Sequence, residues 1–262
     1  MEKKKVVILC SNATRIEVHG GSGPTGNYLN ETVVPAMALI DAGYQVVLAT
    51  PNGKKPHIDE PSDSAVHFGN DKAAYERAKA FWAEDTSVNE VRTIRSVVEE
   101  GLNHYSAVFV PGGQAPVVDL MQDTDVREIL QQFHKDSKPT ALLCHGPITL
   151  IAALPKAKEF RAALVAGDLG EAKEASDGWI YAGYKMTVFS ATEEKWIEDE
   201  ILHAKLYFNM PYALTIAGGY VIIDPEDFAP NVVVDRELIT GQNPRSDHAI
   251  AAKLIEMLRA TA

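Results

Sequence analysis

One pattern restricts this chain more than any other: short, unbroken apolar runs alternate with longer stretches of helical spacing. Runs at Lys5 to Cys10, Gln45 to Thr50, Ala107 to Val110, Thr140 to Leu143 and Met186 to Phe189 read as strands, with late pieces at Val221 to Ile223 and Val232 to Val234. Continuous apolar runs, as opposed to alternating ones, belong to strands covered on both faces. Helical stretches fall at Ala36 to Ala42, Lys72 to Ala83, Val126 to Lys135, Ile148 to Leu154 and Thr192 to Ala204, and Asp247 to Leu258 closes the chain. The expectation is an α/β fold with a mostly parallel central sheet and helices on both faces. Two segments read as surface insertions: the Pro-rich, mixed-charge stretch 51–70, and the Ala/Lys/Glu-rich stretch 155–177, which is helical by propensity. Neither has the Gly/Ser character of a flexible linker, so residues 1–262 are expected to form a single decorated domain.

Charge and cysteine content narrow the partners. Twenty-five Lys and Arg against 36 Asp and Glu leave a formal charge of −11, which repels phosphate backbones and anionic lipid. Neither nucleic acid nor a membrane surface is expected as a partner. The Lys-rich start leads into an apolar run too short for a signal peptide, and no run reaches the roughly 18 residues of a membrane helix. Cys10 and Cys144 are too few for a disulfide framework or a thiolate metal site, which fits a reducing cytoplasm. No His-Glu-x-x-His or Cys-x-x-Cys pattern is present, and in the Gly-rich stretch Gly20-Gly21-Ser-Gly23-Pro24-Thr-Gly26 Pro24 would disrupt a phosphate-binding turn, so no metal and no nucleotide cofactor is expected.

Three segments can carry chemistry. In Leu143-Cys144-His145-Gly146-Pro147 an apolar strand ends at a cysteine and Gly-Pro opens a helix. A nucleophile on such a turn stands at the C-terminal edge of a sheet, near the positive end of a helix, where a thiolate is favoured. The plain alternative is a buried Cys filling a core strand. Pro111-Gly112-Gly113-Gln114 follows another buried strand, and its glycines would let backbone N–H groups approach an oxyanion, unless it is simply a loop. Glu31, just before or within a helix after the first strand, can reach the same edge as a general acid/base, or merely favour the helix dipole. Pro35 cannot donate to the carbonyl of Glu31, so an irregular backbone is expected there.

The order of Glu31, Pro111-Gly112-Gly113 and Cys144-His145-Gly146-Pro147 resembles the ThiJ/PfpI superfamily of class I glutamine-amidotransferase-like, flavodoxin-like proteins. Gly43-Tyr44 to Pro51, Phe189-Ser-Ala-Thr-Glu193-Glu194, Met210-Pro211 and Leu238-Ile-Thr-Gly241-Gln242-Asn243-Pro244 are similar to its glutathione-independent glyoxalase III and holding-chaperone branch. The resemblance covers almost the whole chain. It implies Cys144 as nucleophile, His145 as its partner, and Glu194 as the carboxylate orienting His145, with Glu193 the alternative one position away. It further implies that Glu31 hydrogen-bonds the thiol and moves protons. Backbone N–H groups of Gly113 and His145 would form the oxyanion site, with Gly112, Gln114 and Gly146 around the substrate. Members of the branch usually carry His at the position of Gln114, and a Gln cannot take up a proton at neutral pH.

The activity so implied is conversion of methylglyoxal and similar 2-oxoaldehydes to 2-hydroxy acids through a Cys144 hemithioacetal, without metal, cofactor or glutathione. The family also contains holding chaperones that bind unfolded proteins, deglycases and cysteine peptidases, and its members in this branch are commonly homodimers. A true amidotransferase would need a downstream His-x-Glu pair, which His203 and His248 do not supply. The remaining histidines, His67 among them, read mainly as loop and helix residues, with His19 set apart by its place in the loop after the first strand, and the tryptophans Trp82, Trp179 and Trp196 read as packing residues or, as the alternative, residues of the pocket rim.

Overall fold

The structure, a computed structural model, describes residues 4–260. Its centre is a seven-stranded sheet in the order Val232–Asp235, Leu238–Gly241, Thr140–Leu143, Tyr105–Val110, Lys5–Leu9, Gln45–Thr50 and Arg92–Thr93. Every neighbouring pair is parallel except Val232–Asp235 against Leu238–Gly241. This is the mostly parallel α/β architecture expected from the apolar runs. The period-two geometry of a strand divides those runs between two layers of core. Val7, Leu9, Val108, Val110 and Leu142 pack with one layer, while Val6, Ile8, Phe109, Ala141 and Leu143 pack with the other.

Two readings of the sequence change. Of Met186 to Phe189 only the Lys185–Met186 end is strand, and it pairs with Tyr220–Val221 in a separate two-stranded sheet. The place beside Thr140–Leu143 belongs to Leu238–Gly241, where a Thr and a Gly weaken the apolar signal. With that place filled, the chain at 187–189 crosses the edge of the sheet. There Thr187 N–H donates to Thr240 Oγ1 (2.8 Å) and Phe189 N–H donates to the carbonyl of Cys144 (2.9 Å). The second change concerns Pro35, which lies inside an unbroken helix, Leu29–Asp41. Packing of this helix against the C-terminal helix Asp247–Ala260 and the buried side chains of Leu29, Val33 and Leu39 outweigh one missing hydrogen bond.

The stretch 155–177 forms helices Ala157–Ala166 and Leu169–Ala175, as propensity suggests. The stretch 51–70 contains only short 3-10 turns, Glu60–Ser62 and Ala65–Phe68. It is tied to the loop before Glu31: Asn27 N–H donates to the carbonyl of His57 (2.8 Å), and Asp59 N–H donates to that of Asn27 (2.9 Å). This pairing carries 51–70 across the C-terminal edge of the sheet. Among the described residues, no helix is long and apolar enough to cross a membrane.

Candidate active site

The C-terminal edge of a parallel sheet collects the ends of neighbouring strands. Because Val110 is in register with Leu142, and Leu143 with Gly241, the Gly112 turn and Cys144 emerge side by side. Cys144 takes φ = +61°, a left-handed conformation that a side chain adopts only where surrounding structure holds it. Two hydrogen bonds do so: Cys144 N–H to the carbonyl of Gly241 (2.8 Å), and Phe189 N–H to that of Cys144 (2.9 Å). The turn aims Sγ into a cavity of about 330 Å³, although the residue is only 1% exposed. Beyond it, Gly146–Ala153 continues as a fully buried 3-10 helix.

A continuous polar chain runs from the sulfur. Sγ lies 3.3 Å from His145 Nδ1, and His145 Nε2 lies 2.6 Å from Glu194 Oε2. Gln114 Nε2 then donates to Glu194 Oε1 (2.6 Å). The choice between Glu193 and Glu194 follows from helix geometry, since successive residues of a helix point about 100° apart. Helix Ala191–Ile197 starts with a capping box in which Ser190 Oγ accepts from Glu193 N–H (3.0 Å) and Glu193 Oε2 accepts from Ser190 N–H (2.8 Å). Glu193 Oε1 also accepts from Phe228 N–H (2.7 Å) and Asn243 Nδ2 (2.9 Å). With Glu193 anchored there, Glu194 faces His145.

Glu31 is fully buried on the other side of the sulfur. Its Oε2 accepts from Gly112 N–H (2.8 Å), and its carboxyl and the Cys144 thiol interact through their side chains. Among the described residues the other oxygen, Oε1, is buried without a hydrogen-bond partner. Gly112 cannot be larger: a Cβ there would stand 2.5 Å from Glu31 Oε2 and 2.6 Å from Cys144 Cβ. Gly113, at φ = +85°, would place a Cβ 2.2 Å from the carbonyl of Gly26, and it directs its N–H at the Cys144 sulfur. Gly146 lies beneath the turn, where a Cβ would meet the Val110 carbonyl at 2.6 Å. Gly112 and Gly146 therefore shape the site from behind, while Gln114, Cys144 and His145 line the cavity.

The electrostatics differ from the expectation of a depressed thiol. Burial pushes the Cys144 thiol well up, the nearby Glu31 carboxylate adds to this, and the Gly113 N–H offsets only part. Burial likewise raises Glu31 to about 8, against the pull of the thiol and of the Gly112 N–H. A dry pocket disfavours either negative charge more than one short helix can compensate. At neutral pH Glu31 therefore keeps its proton, and the thiol must give its own to a neighbour when it reacts.

Several wall residues carried no signal in the sequence. Asp59, Pro61, Val66 and His67 come from the stretch 51–70, and Tyr28 lies just before the Leu29–Asp41 helix. Asp59 is raised to about 6, mainly by burial and against the pull of His57 and His145. Phe189, Trp196, Phe228 and Arg245 complete much of the rest. His19 packs on Tyr207 at 4.4 Å between ring centroids, and it is not among the residues lining the cavity.

Fold and site together define a class: parallel α/β proteins that present a cysteine on a strained strand-to-helix turn, backed by a His–Glu pair. A family model described as ThiJ/PfpI family-like matches residues 23–224, and the chain belongs to that family. The protein/nucleic acid deglycase HchA of Staphylococcus aureus is 26% identical over 98% of this chain and 81% of its own length. Among solved structures, glyoxalase III of Candida albicans superposes with a TM-score of 0.69 at 17% identity, covering 96% of each chain. The Rapid Encystment Protein of Francisella tularensis gives a TM-score of 0.73 at 20% identity, covering 97% of this chain and 99% of the other. At such identities the two structures share the fold.

Proposed function

We propose that the protein is a cysteine-dependent enzyme that converts 2-oxoaldehydes to 2-hydroxy acids without glutathione. The observation that carries this reading is the placement of Cys144 between two proton-handling groups: His145, backed by Glu194, and protonated Glu31. A hydrolase needs only the first of these. Moving hydrogen between adjacent carbons needs a second acid/base on the reacting carbon.

In this scheme His145 Nδ1 takes the thiol proton as Sγ adds to the aldehyde carbon, and Glu31 gives its proton to the new alkoxide, forming a hemithioacetal. The Glu31 carboxylate then removes the C1 hydrogen as a proton while protonated His145 gives its proton to the C2 oxygen, giving an enediol. His145 takes the C1 hydroxyl proton as Glu31 protonates C2, which leaves a thioester of the 2-hydroxy acid. Water cleaves the thioester, the acid departs, and Sγ and Glu31 recover their protons. The net change is addition of one water to the 2-oxoaldehyde. The Gly113 N–H, already directed at the sulfur, is placed to stabilise the oxygen that develops beside it.

The deglycase named among the relatives supports a second reading in which the same thiol attacks an aldehyde adduct on another molecule. One assay separates the two. Methylglyoxal without glutathione should give lactate with the wild type and none with Cys144→Ser. Release of lactate from preformed amine adducts, faster than from free methylglyoxal, would favour the deglycase. Undiminished turnover by Cys144→Ser refutes both.

A further inference from the structure

The cavity beside Cys144 is lined by residues that the mechanism does not use. On the scale where one water needs about 10–15 Å³ of cavity, a three-carbon substrate such as methylglyoxal needs on the order of 50 Å³. The cavity is about 330 Å³. One part of its wall is aromatic and starts at the reacting His145. Phe189 packs on His145 with centroids 4.5 Å apart, Phe228 meets Phe189 edge-on at 6.2 Å, and Trp196 meets Phe228 edge-on at 5.8 Å. Ile197, Ile201 and Leu202 add aliphatic surface to the same cavity. Trp196 and Ile201 are 49% and 40% exposed, so large apolar groups stand at the rim where a small polar substrate would leave them wet.

We propose that this wall is a side-chain subsite that selects 2-oxoaldehydes bearing a bulky, flat apolar substituent over methylglyoxal. The inference rests on the glyoxalase reading above and names its substrate class. With the aldehyde carbon at Cys144 Sγ, an aryl ring on the keto carbon can extend past Phe189 toward Phe228 and Trp196. Ring–ring contacts of this kind favour offset or edge-on packing, which the staggered wall already presents. Burial of added apolar surface in such a pocket is worth about tenfold or more in kcat/KM. The chemistry at C1 and C2 is unchanged, and the product is an aryl 2-hydroxy acid.

The test compares initial rates for phenylglyoxal and methylglyoxal, without glutathione, in wild type and Trp196→Ala, with Trp196→Phe as the conservative variant. Wild type should favour phenylglyoxal by about tenfold or more in kcat/KM, expressed mostly in KM. Trp196→Ala should lower that preference at least about fivefold, and Trp196→Phe should restore most of it. If Trp196→Ala fails to fold by its melting profile, Ile201→Ala is read in its place. A wild type that turns over both substrates with equal kcat/KM, or prefers methylglyoxal, overturns the subsite. So does a preference that survives truncation of the wall. Turnover of neither substrate defeats the glyoxalase reading itself, an outcome distinct from loss of preference alone.

Discussion

Replacing Glu31 with Gln tests the electrostatic core of the site. The carboxyl is fully buried, and its pKa is raised from 4.5 to about 8, chiefly by burial. A raised acid binds its proton more tightly in the folded state, so its stability contribution is fully present below pH 4.5 and is lost as pH rises through about 8. At about 1.4 kcal/mol per pKa unit the full shift corresponds to roughly 5 kcal/mol. The thiol beside it and relaxation of the pocket share that charge, so about 2–4 kcal/mol is the working expectation. Gln has the same shape and can still accept from the Gly112 N–H, but it never ionises. Melting of wild type and Glu31→Gln should therefore coincide near pH 4.5, and above pH 8 the variant should melt roughly 5–10 °C higher. The variant should also lose the hydrogen-transfer steps and hence lactate formation. A stability gap that does not change between pH 4.5 and 8.5 would show that Glu31 is not the raised acid the geometry requires.

Other consequences can be checked independently. Removing the Glu31 charge should also ease ionisation of Cys144, so the pH midpoint for inactivation by iodoacetamide should fall in Glu31→Gln; an unmoved midpoint contradicts the coupling. Gly112→Ala forces a methyl to within 2.5 Å of Glu31 Oε2 and 2.6 Å of Cys144 Cβ. It should abolish turnover and lower stability by about 1–3 kcal/mol, read by urea titration. Gln114→Leu leaves Glu194 Oε1 without its buried donor, which costs about 1–3 kcal/mol and should reduce kcat/KM about tenfold with the pH profile displaced. Wild-type activity in that variant would show that Gln114 does not tune the His145–Glu194 pair.

The local signals in the chain were sufficient for the class of fold. Apolar runs such as Ala107 to Val110 and Thr140–Leu143 can be read because a strand buried on both faces has no polar side to show. The strand Leu238–Gly241 could not be read in this way. It joins the sheet through a partner about a hundred residues earlier, and its Thr240 is tolerated because Thr187 N–H donates to its hydroxyl. Cys144-His145-Gly146-Pro147 announces a turn because Gly and Pro have strong backbone preferences. Whether Glu193 or Glu194 meets His145 depends on how the capping box sets the phase of one helix against the sheet, which adjacent identical residues do not encode.

The amino-acid order alone thus determined the parallel sheet, the turn bearing Cys144 and the nearness of the Gly112 turn, because each follows from burial pattern and backbone preference over a few residues. Tertiary structure alone decided the protonation of the site and the shape of its cavity. Those depend on which distant side chains exclude water from Cys144 and Glu31, and on how the stretch 51–70 folds back to bring Asp59 and His67 to the wall. Desolvation and cavity shape are sums over neighbours in space, so no stretch of the sequence carries them by itself.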